Sequence, residues 1–227
     1  MSQSVQMQLK IKVDYKIILL SLIISLALCY LALFLEYRHI FTLDYFVSQS
    51  ISYVDGYEWY RKEQSIIWLN VAGIFVVVLV RAFVLSLVLY TSHKVANIAV
   101  RFIQEVTIAS IATTVFSLNY LVTVGGKVLG LIPYTFETAN NNYRYQSVNV
   151  LLDGYNSLYY LEAPLDLLNI SQVVFLVILV FTTRIILNPK TDKSKLKIST
   201  STLVGYLTFL FLIINVFVLI NIFQHYE

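Results

Sequence analysis

The sequence predicts an all-α fold, a polytopic membrane bundle of five transmembrane helices. Three observations carry that prediction. Five apolar stretches, residues 17–35, 66–90, 106–124, 170–187 and 203–223, each run for 18–25 residues, the length a helix needs to cross a hydrocarbon core of about 30 Å. Hydrophobic residues make up 58% of the chain and charged residues only 13%, which leaves no room for a soluble domain. The segments between the stretches alternate in charge. Nine Lys and Arg lie in the first segment, the second loop and the fourth loop, against five in loops 36–65 and 125–169. Lipid offers no water to unpaired backbone groups, so stretches of this kind cross it as helices.

The charge bias orients the chain. Lys10, Lys12, Lys16, Lys94, Arg101, Lys190, Lys193, Lys195 and Lys197 fall on one side, and the basic side reads as cytoplasmic. The expectation is N-terminus cytoplasmic and C-terminus outside. Residues 1–16 form a short cytoplasmic segment and 17–227 a single membrane domain. No cleavable leader is expected, because the first span is too long for one and no small-residue cleavage site follows it.

The first span is rich in Leu and Ile, nearly free of polar groups, and is expected to face lipid. The second begins near Trp68, an interfacial anchor, and holds Asn70, Gly73 and Arg81. The third carries Thr107, Ala109, Ser110, Ala112, Thr113, Thr114, Ser117 and Asn119. Small residues let helices approach closely and hydroxyls can bond across the contact, so this helix belongs at the bundle centre. Its approach, Lys94 to Glu105, is amphipathic and predicts a short helix lying on the cytoplasmic surface. Asn188-Pro189 stops the fourth span, and a Lys-rich loop 190–197 leads to the fifth, which holds Gly205, Asn215 and Asn221. Outer loops 36–65 and 125–169 contain turn material: Asp55-Gly56, Gly125-Gly126 and Asn140-Asn141-Asn142. The apolar half of the second, 148–168, is expected to fold back on the bundle.

Function is written more faintly. A charge at the depth of Arg81 is a functional candidate by default. It can also snorkel toward the cytoplasm or pair within the bundle, with Glu105 the nearest acid on that side. Eleven of 17 tyrosines lie in the two outer loops. Such rings suit an aromatic belt and loop packing, or a surface for a partner that would include Tyr57, Tyr155, Tyr159 and Tyr160. Asn119 and its neighbours would either bond helices together or line a polar path. Catalysis finds no motif: His39, His93 and His225 stand far apart, and no metal-ligand spacing, nucleophile elbow or phosphate loop is present. No cofactor is implied. The lone Cys29 forms no internal disulfide. The net charge of +3 is spread over membrane-flanking lysines, which argues against nucleic-acid binding. Abundant Ile, Asn, Lys and Tyr point to an AT-rich genome and a bacterial cytoplasmic membrane.

From about residue 66 onward the layout resembles the Yip family of five-span, Ypt/Rab-interacting membrane proteins, and its bacterial members above all. Phe102-Ile103-Gln104 before a small-residue span, Pro164-Leu165-Asp166 through Val174 opening the fourth span, and Val204-Gly205-Tyr206 at the last carry the likeness. Ser171 and Leu168 stand where that family usually has Trp and Phe. The Asp-Leu-Tyr-Gly-Pro signature of eukaryotic members is absent, and no cytosolic domain that would meet a GTPase is expected before the first span. The resemblance implies a non-enzymatic scaffold in the bilayer that meets another membrane protein or a second copy of itself. The alternative is a small transporter, channel or export-complex subunit, with a polar path along the third helix near Arg81.

Overall fold

The structure, a computed structural model, describes residues 3–135, 146–147, 165 and 168–225, and side chains from Tyr15 onward except at 217 and 219–225. Apart from residues 165 and 168, the predicted apolar half of the second outer loop, and with it Tyr155, Tyr159 and Tyr160, lies outside the described residues. So does the Asn140–Asn142 turn. Six helices are described: α1 (Gln3–His39), α2 (Leu43–Gln49), α3 (Tyr53–Val95), α4 (Phe102–Val128), α5 (Ile170–Leu187) and α6 (Asp192–His225). Five of them, all but α2, are long and apolar enough to cross a membrane. The all-α, five-span prediction holds.

Helix α4 is the axis of the bundle. It packs against α1, α3 and α5, and α6 closes the side between α3 and α5. Of its most apolar window 61% is buried, against 22–28% for the other four. Ile108, Ala109, Ser110, Ala112, Ser117 and Thr123 are all sealed, because side chains this small let three helices come close at once. Its hydroxyls mostly bond inward to their own helix, Thr107 to the Ile103 carbonyl at 2.8 Å, Thr113 to Ala109 at 2.8 Å and Thr123 to Asn119 at 2.8 Å. In apolar surroundings the carbonyl one turn back is the nearest acceptor. Thr114 bonds across, to Ser25 of α1 at 2.9 Å.

Helix α1 does not simply face lipid. Ser25, Cys29, Ala32, Leu33 and Glu36 bury one stripe, while Leu19, Leu20, Ile23 and Phe34 stay exposed on the other side. The stripe spacing of three and four residues is that of one helix face. The exposed apolar side chains that ring the bundle are what lipid contact requires.

The region expected to be outer loop 36–65 is almost wholly helical. Helix α1 runs on to His39, α2 follows, and α3 starts at Tyr53 with Ser52 as its cap: the Ser52 hydroxyl accepts from the Asp55 N–H at 3.2 Å. With 43 residues, α3 is about 64 Å long at 1.5 Å per residue, about twice a hydrocarbon core. Gly56, read as a turn residue, serves close approach: a Cβ there would lie 2.6 Å from Val47 Cα in α2. Gly125 and Gly126 are likewise inside α4, and a Cβ on Gly126 would strike the Ile132 side chain as the chain folds back.

The predicted surface helix from Lys94 to Glu105 is absent. Helix α3 ends at Val95, and Asn97 takes a left-handed conformation, φ 52°. The Ile98 N–H bonds the His93 carbonyl and the Asn97 N–H bonds Lys94, both at 2.9 Å, which is the Schellman closure. An extended link then reaches α4, where the Gln104 side chain accepts from the Arg101 N–H at 3.0 Å. The reversal between two antiparallel spans leaves too few residues for a helix of its own. The Lys-rich segment is no free loop either: Lys193, Lys195 and Lys197 lie in the first turns of α6. Asn188, φ 44°, does end α5 as expected.

Two apolar clusters hold the bundle. One joins Leu85 and Leu89, Ile108 and Phe116, Phe175 and Leu179, and Tyr206 across four helices. Phe116 stacks on Phe175 at 4.7 Å between centroids. The other cluster gathers Ile40, Phe41, Phe46 and Val124, with Tyr37, Tyr45, Tyr60 and Tyr134 packed on it. The tyrosines of the first outer segment thus divide. Tyr37, Tyr45 and Tyr60 pack, and burial raises the Tyr45 phenol above its ordinary value, whereas Tyr53 and Tyr57 are exposed.

Helices α3 and α6 are clasped at one end. The Ser92 hydroxyl bonds the Ser201 carbonyl at 2.6 Å and the Ser201 hydroxyl bonds the Ser92 carbonyl at 3.0 Å. A Cβ on Gly205 would lie 2.5 Å from the Ser92 Cβ, whereas one on Gly73 meets nothing within 4 Å. Gly205→Val is therefore expected to lower stability by about 1–3 kcal/mol through overpacking, while Gly73→Ala raises it by about 0.5–1 kcal/mol through helix propensity. Thermal unfolding in detergent checks both. Equal behaviour of the two variants would refute the close α3–α6 crossing.

Candidate functional site

Two cavities meet inside the bundle, and Arg81 stands in the wall between them. The first, about 380 Å³, lies between α1, α3 and α4 and is lined by Cys29, Glu36 and Tyr37, by Glu63, Asn70, Gly73 and Arg81, and by Phe116 and Tyr120. From Glu63 to Arg81 is about 27 Å along α3 at 1.5 Å per residue. This cavity therefore reaches from the α2 end of the bundle down to the guanidinium. Its upper wall is a hydrogen-bonded set. The Tyr37 hydroxyl donates to Glu63 Oε1 at 2.6 Å and accepts from Asn70 Nδ2 at 2.6 Å. The Tyr120 hydroxyl donates to Glu36 Oε2. Glu36 Oε1 is buried with no hydrogen-bond partner among the described residues.

The second cavity, about 490 Å³, lies between α3, α4, α5 and α6. Its walls are Val76, Val80, Val84, Leu85, Phe175, Phe209, Leu210 and Ile213, with Gln172 and Tyr206 on one side. Val77, Arg81 and Phe116 line both spaces.

Arg81 does not pair with Glu105. Its guanidinium carbon lies 4.9 Å over the Phe116 ring, a cation–π contact. It makes no hydrogen bond or ion pair with the described residues. Antiparallel packing explains the failed pairing. Phe116, level with Arg81, is about 16 Å along α4 from Glu105 at 1.5 Å per residue.

Glu105 belongs to a different, fully sealed cluster. Its Oε1 lies 2.9 Å from His93 Nδ1, and His93 Nε2 lies 3.0 Å from Thr202 Oγ1. His93, Glu105 and Thr202 are each 0% exposed. The Thr202 hydroxyl donates to the Ile198 carbonyl at 2.8 Å, so it accepts from a His93 Nε2–H. One proton is then shared between Nδ1 and Oε1, and the pair is neutral overall whichever atom holds it. Helices α3, α4 and α6 are joined by these three side chains.

Asn119 is a joint as well. Its Oδ1 accepts from Gln146 at 2.9 Å, and Gln146 accepts from the Ser171 hydroxyl at 2.8 Å, which ties α4 to α5 through residue 146. Its Nδ2 is buried without a partner among the described residues. Of the hydroxyls on α4, Ser110 and Ser117 are sealed, while Thr113, with Phe116, lines the second cavity. Tyr57 lies exposed in the first turns of α3.

Sequence reasoning missed Glu36, Tyr37, Glu63 and Tyr120, which it assigned to a loop or a span end, and missed His93. One signal for the last was present. His93 lies two residues before the end of α3 and Glu105 three residues after the start of α4, so they meet once the chain reverses between the two antiparallel helices. Among the described residues no three His, Cys, Asp or Glu come together as a metal-binding group. No family model matches the chain, and neither a curated protein nor a solved structure matches it.

Proposed function

We propose that this multi-pass membrane protein is a ligand-binding component of the transporter or channel class, acting without catalysis, with Arg81 as the group that recognises an anionic ligand. The observation that supports it is a guanidinium with no counter-ion among the described residues, at the inner end of a cavity that starts at the bundle edge. An Arg inside a span is expensive, of the order of 3 kcal/mol at the helix centre on insertion scales. A water-holding vestibule offsets part of that cost. We place the vestibule mouth outside, on the charge bias that puts the N-terminus in the cytoplasm.

Cysteine accessibility tests this. In a Cys29→Ser background, Gly73→Cys lines the vestibule with free space around its Cβ, and Phe75→Cys points to lipid. A charged, membrane-impermeant thiol reagent added to intact cells is expected to modify Gly73→Cys and spare Phe75→Cys. Protection of both positions would refute the wet vestibule. Modification of Gly73→Cys only from the cytoplasmic side would reverse the orientation.

A second reading, partner binding of the Yip-like kind, has its own support. Helix α3 carries Tyr53, Val54 and Tyr57 exposed beyond its apolar stretch, where rings of this type anchor interfaces. The paired change Tyr53→Ser and Tyr57→Ser is expected to release a co-purifying membrane component without moving the melting temperature. An unchanged complex would set this reading aside.

A further inference from the structure

We infer that the second cavity is a slot for a single-chain lipid anion, whose tail lies among the α3 and α6 side chains and whose head is held by Arg81. The inference rests on the anion-recognition reading of Arg81 and adds the class of ligand. Four observations carry it. The cavity, about 490 Å³, falls in the range of about 300–1,000 Å³ typical of small-molecule sites. Its wall is apolar over most of its extent, Val80, Val84, Leu85, Phe209, Leu210 and Ile213, and among the described residues Arg81 is the one charged side chain lining it. The neighbouring polar groups are already engaged with each other, since the Tyr206 hydroxyl donates to Gln172 Oε1 and Thr113 to its own helix. The guanidinium is not.

The route also discriminates. The aqueous cavity is lined at its upper end by two carboxyl groups, Glu36 and Glu63, an unfavourable approach for an anion arriving from water. The second cavity borders Val76 and Val80, which are 55% and 52% exposed on the lipid-facing surface. An amphiphile can therefore enter sideways from the bilayer, tail in apolar surroundings throughout, and bring its head to Arg81. There the planar fork donates two hydrogen bonds to a carboxylate or phosphate, while the vestibule hydrates the other side of the ion pair. One cation and one apolar chamber fit one chain and one head.

The test uses the full chain in nanodiscs of phosphatidylcholine and palmitate bearing a mid-chain diazirine. Photolysis is expected to attach the probe to the α3 and α6 residues that line the cavity. Excess palmitate or hexadecyl phosphate should compete, and hexadecanol should not. Arg81→Gln, which removes the charge, and Val84→Phe, which fills the chamber, should each cut specific capture about tenfold or more. Leu210→Phe serves as the second filling variant where Val84→Phe fails to fold. Equal competition by hexadecanol overturns the role of the head. Stronger competition by phosphatidylglycerol than by either single-chain anion overturns the single-chain assignment. Binding that needs Arg81 but is the same for acetate as for palmitate overturns the slot and leaves anion recognition standing. Saturable capture by a chain whose Gly73→Cys stays unmodified keeps the slot and removes the vestibule.

Discussion

Arg81→Leu is expected to leave the empty bundle as stable as the parent chain or more so, while abolishing capture of an anionic ligand. The two halves of that result arise from the same side chain. A guanidinium at this depth costs roughly 2.5–3.5 kcal/mol on insertion scales. Its contact with Phe116, 4.9 Å from the ring centroid, returns about 0.5–2 kcal/mol. The vestibule on one side lowers the cost further, so the net gain on replacing it with leucine is about 1 kcal/mol. A residue whose removal stabilises the fold and destroys binding is kept for its function. Thermal unfolding in detergent, read beside photolabelling, measures both. A loss of more than about 2 kcal/mol of stability, the scale of breaking a needed contact, would make Arg81 a structural residue and sink the proposed function. Arg81→Lys separates charge from geometry. It retains a cation but loses the two-pronged fork, and partial capture is the expected outcome.

The largest structural effect is expected at Glu105. Glu105→Ala removes the partner 2.9 Å from His93 Nδ1 and leaves an imidazole with no exposed surface facing a void. Removing one partner of a buried pair typically costs about 3–5 kcal/mol. Because His93 also bonds Thr202, the damage reaches the α3–α6 clasp as well as the α3–α4 contact. Glu105→Gln keeps a donor and an acceptor at the site and is expected to lose much less. Melting temperatures of the two variants rank the effect. An alanine variant that melts within error of the parent would show that the triad carries no load.

The reach of sequence reasoning differs sharply between elements. The five spans were legible because the bilayer core acts as a uniform solvent: any stretch of 18–25 apolar residues faces the same demand for internal backbone pairing. The central place of α4 was legible for a related reason, since Ala109, Ser110, Ala112 and Ser117 suit a helix in close contact with others and waste a lipid-facing surface. Asn188-Pro189 announced its own boundary. Gly56 misled, because Asp-Gly is a turn signal wherever the local chain is free to choose. Here α2 lies against it, and the missing Cβ admits the Val47 backbone. The amphipathic pattern from Lys94 to Glu105 misled in the same way. Periodicity described a surface helix, but closing α3 onto α4 required a left-handed residue at Asn97.

The candidate site was legible as a residue and hidden as a place. Arg81 stood out by depth alone. Its neighbours did not, because Glu36, Glu63 and Tyr120 come from three helices and converge only through the rotation of each helix about its axis. Hydropathy averages over that angle, so it reports that a helix is buried in lipid and not which side chains share a chamber. The bilayer dictates length, number and greasiness of the helices residue by residue, and those features are therefore written along the chain. Pairing His93 with Glu105, and setting Arg81 between two cavities, depend on helix crossings and close approaches such as Gly205 on Ser92. These arise from packing between distant segments, and only the assembled bundle brings them into being.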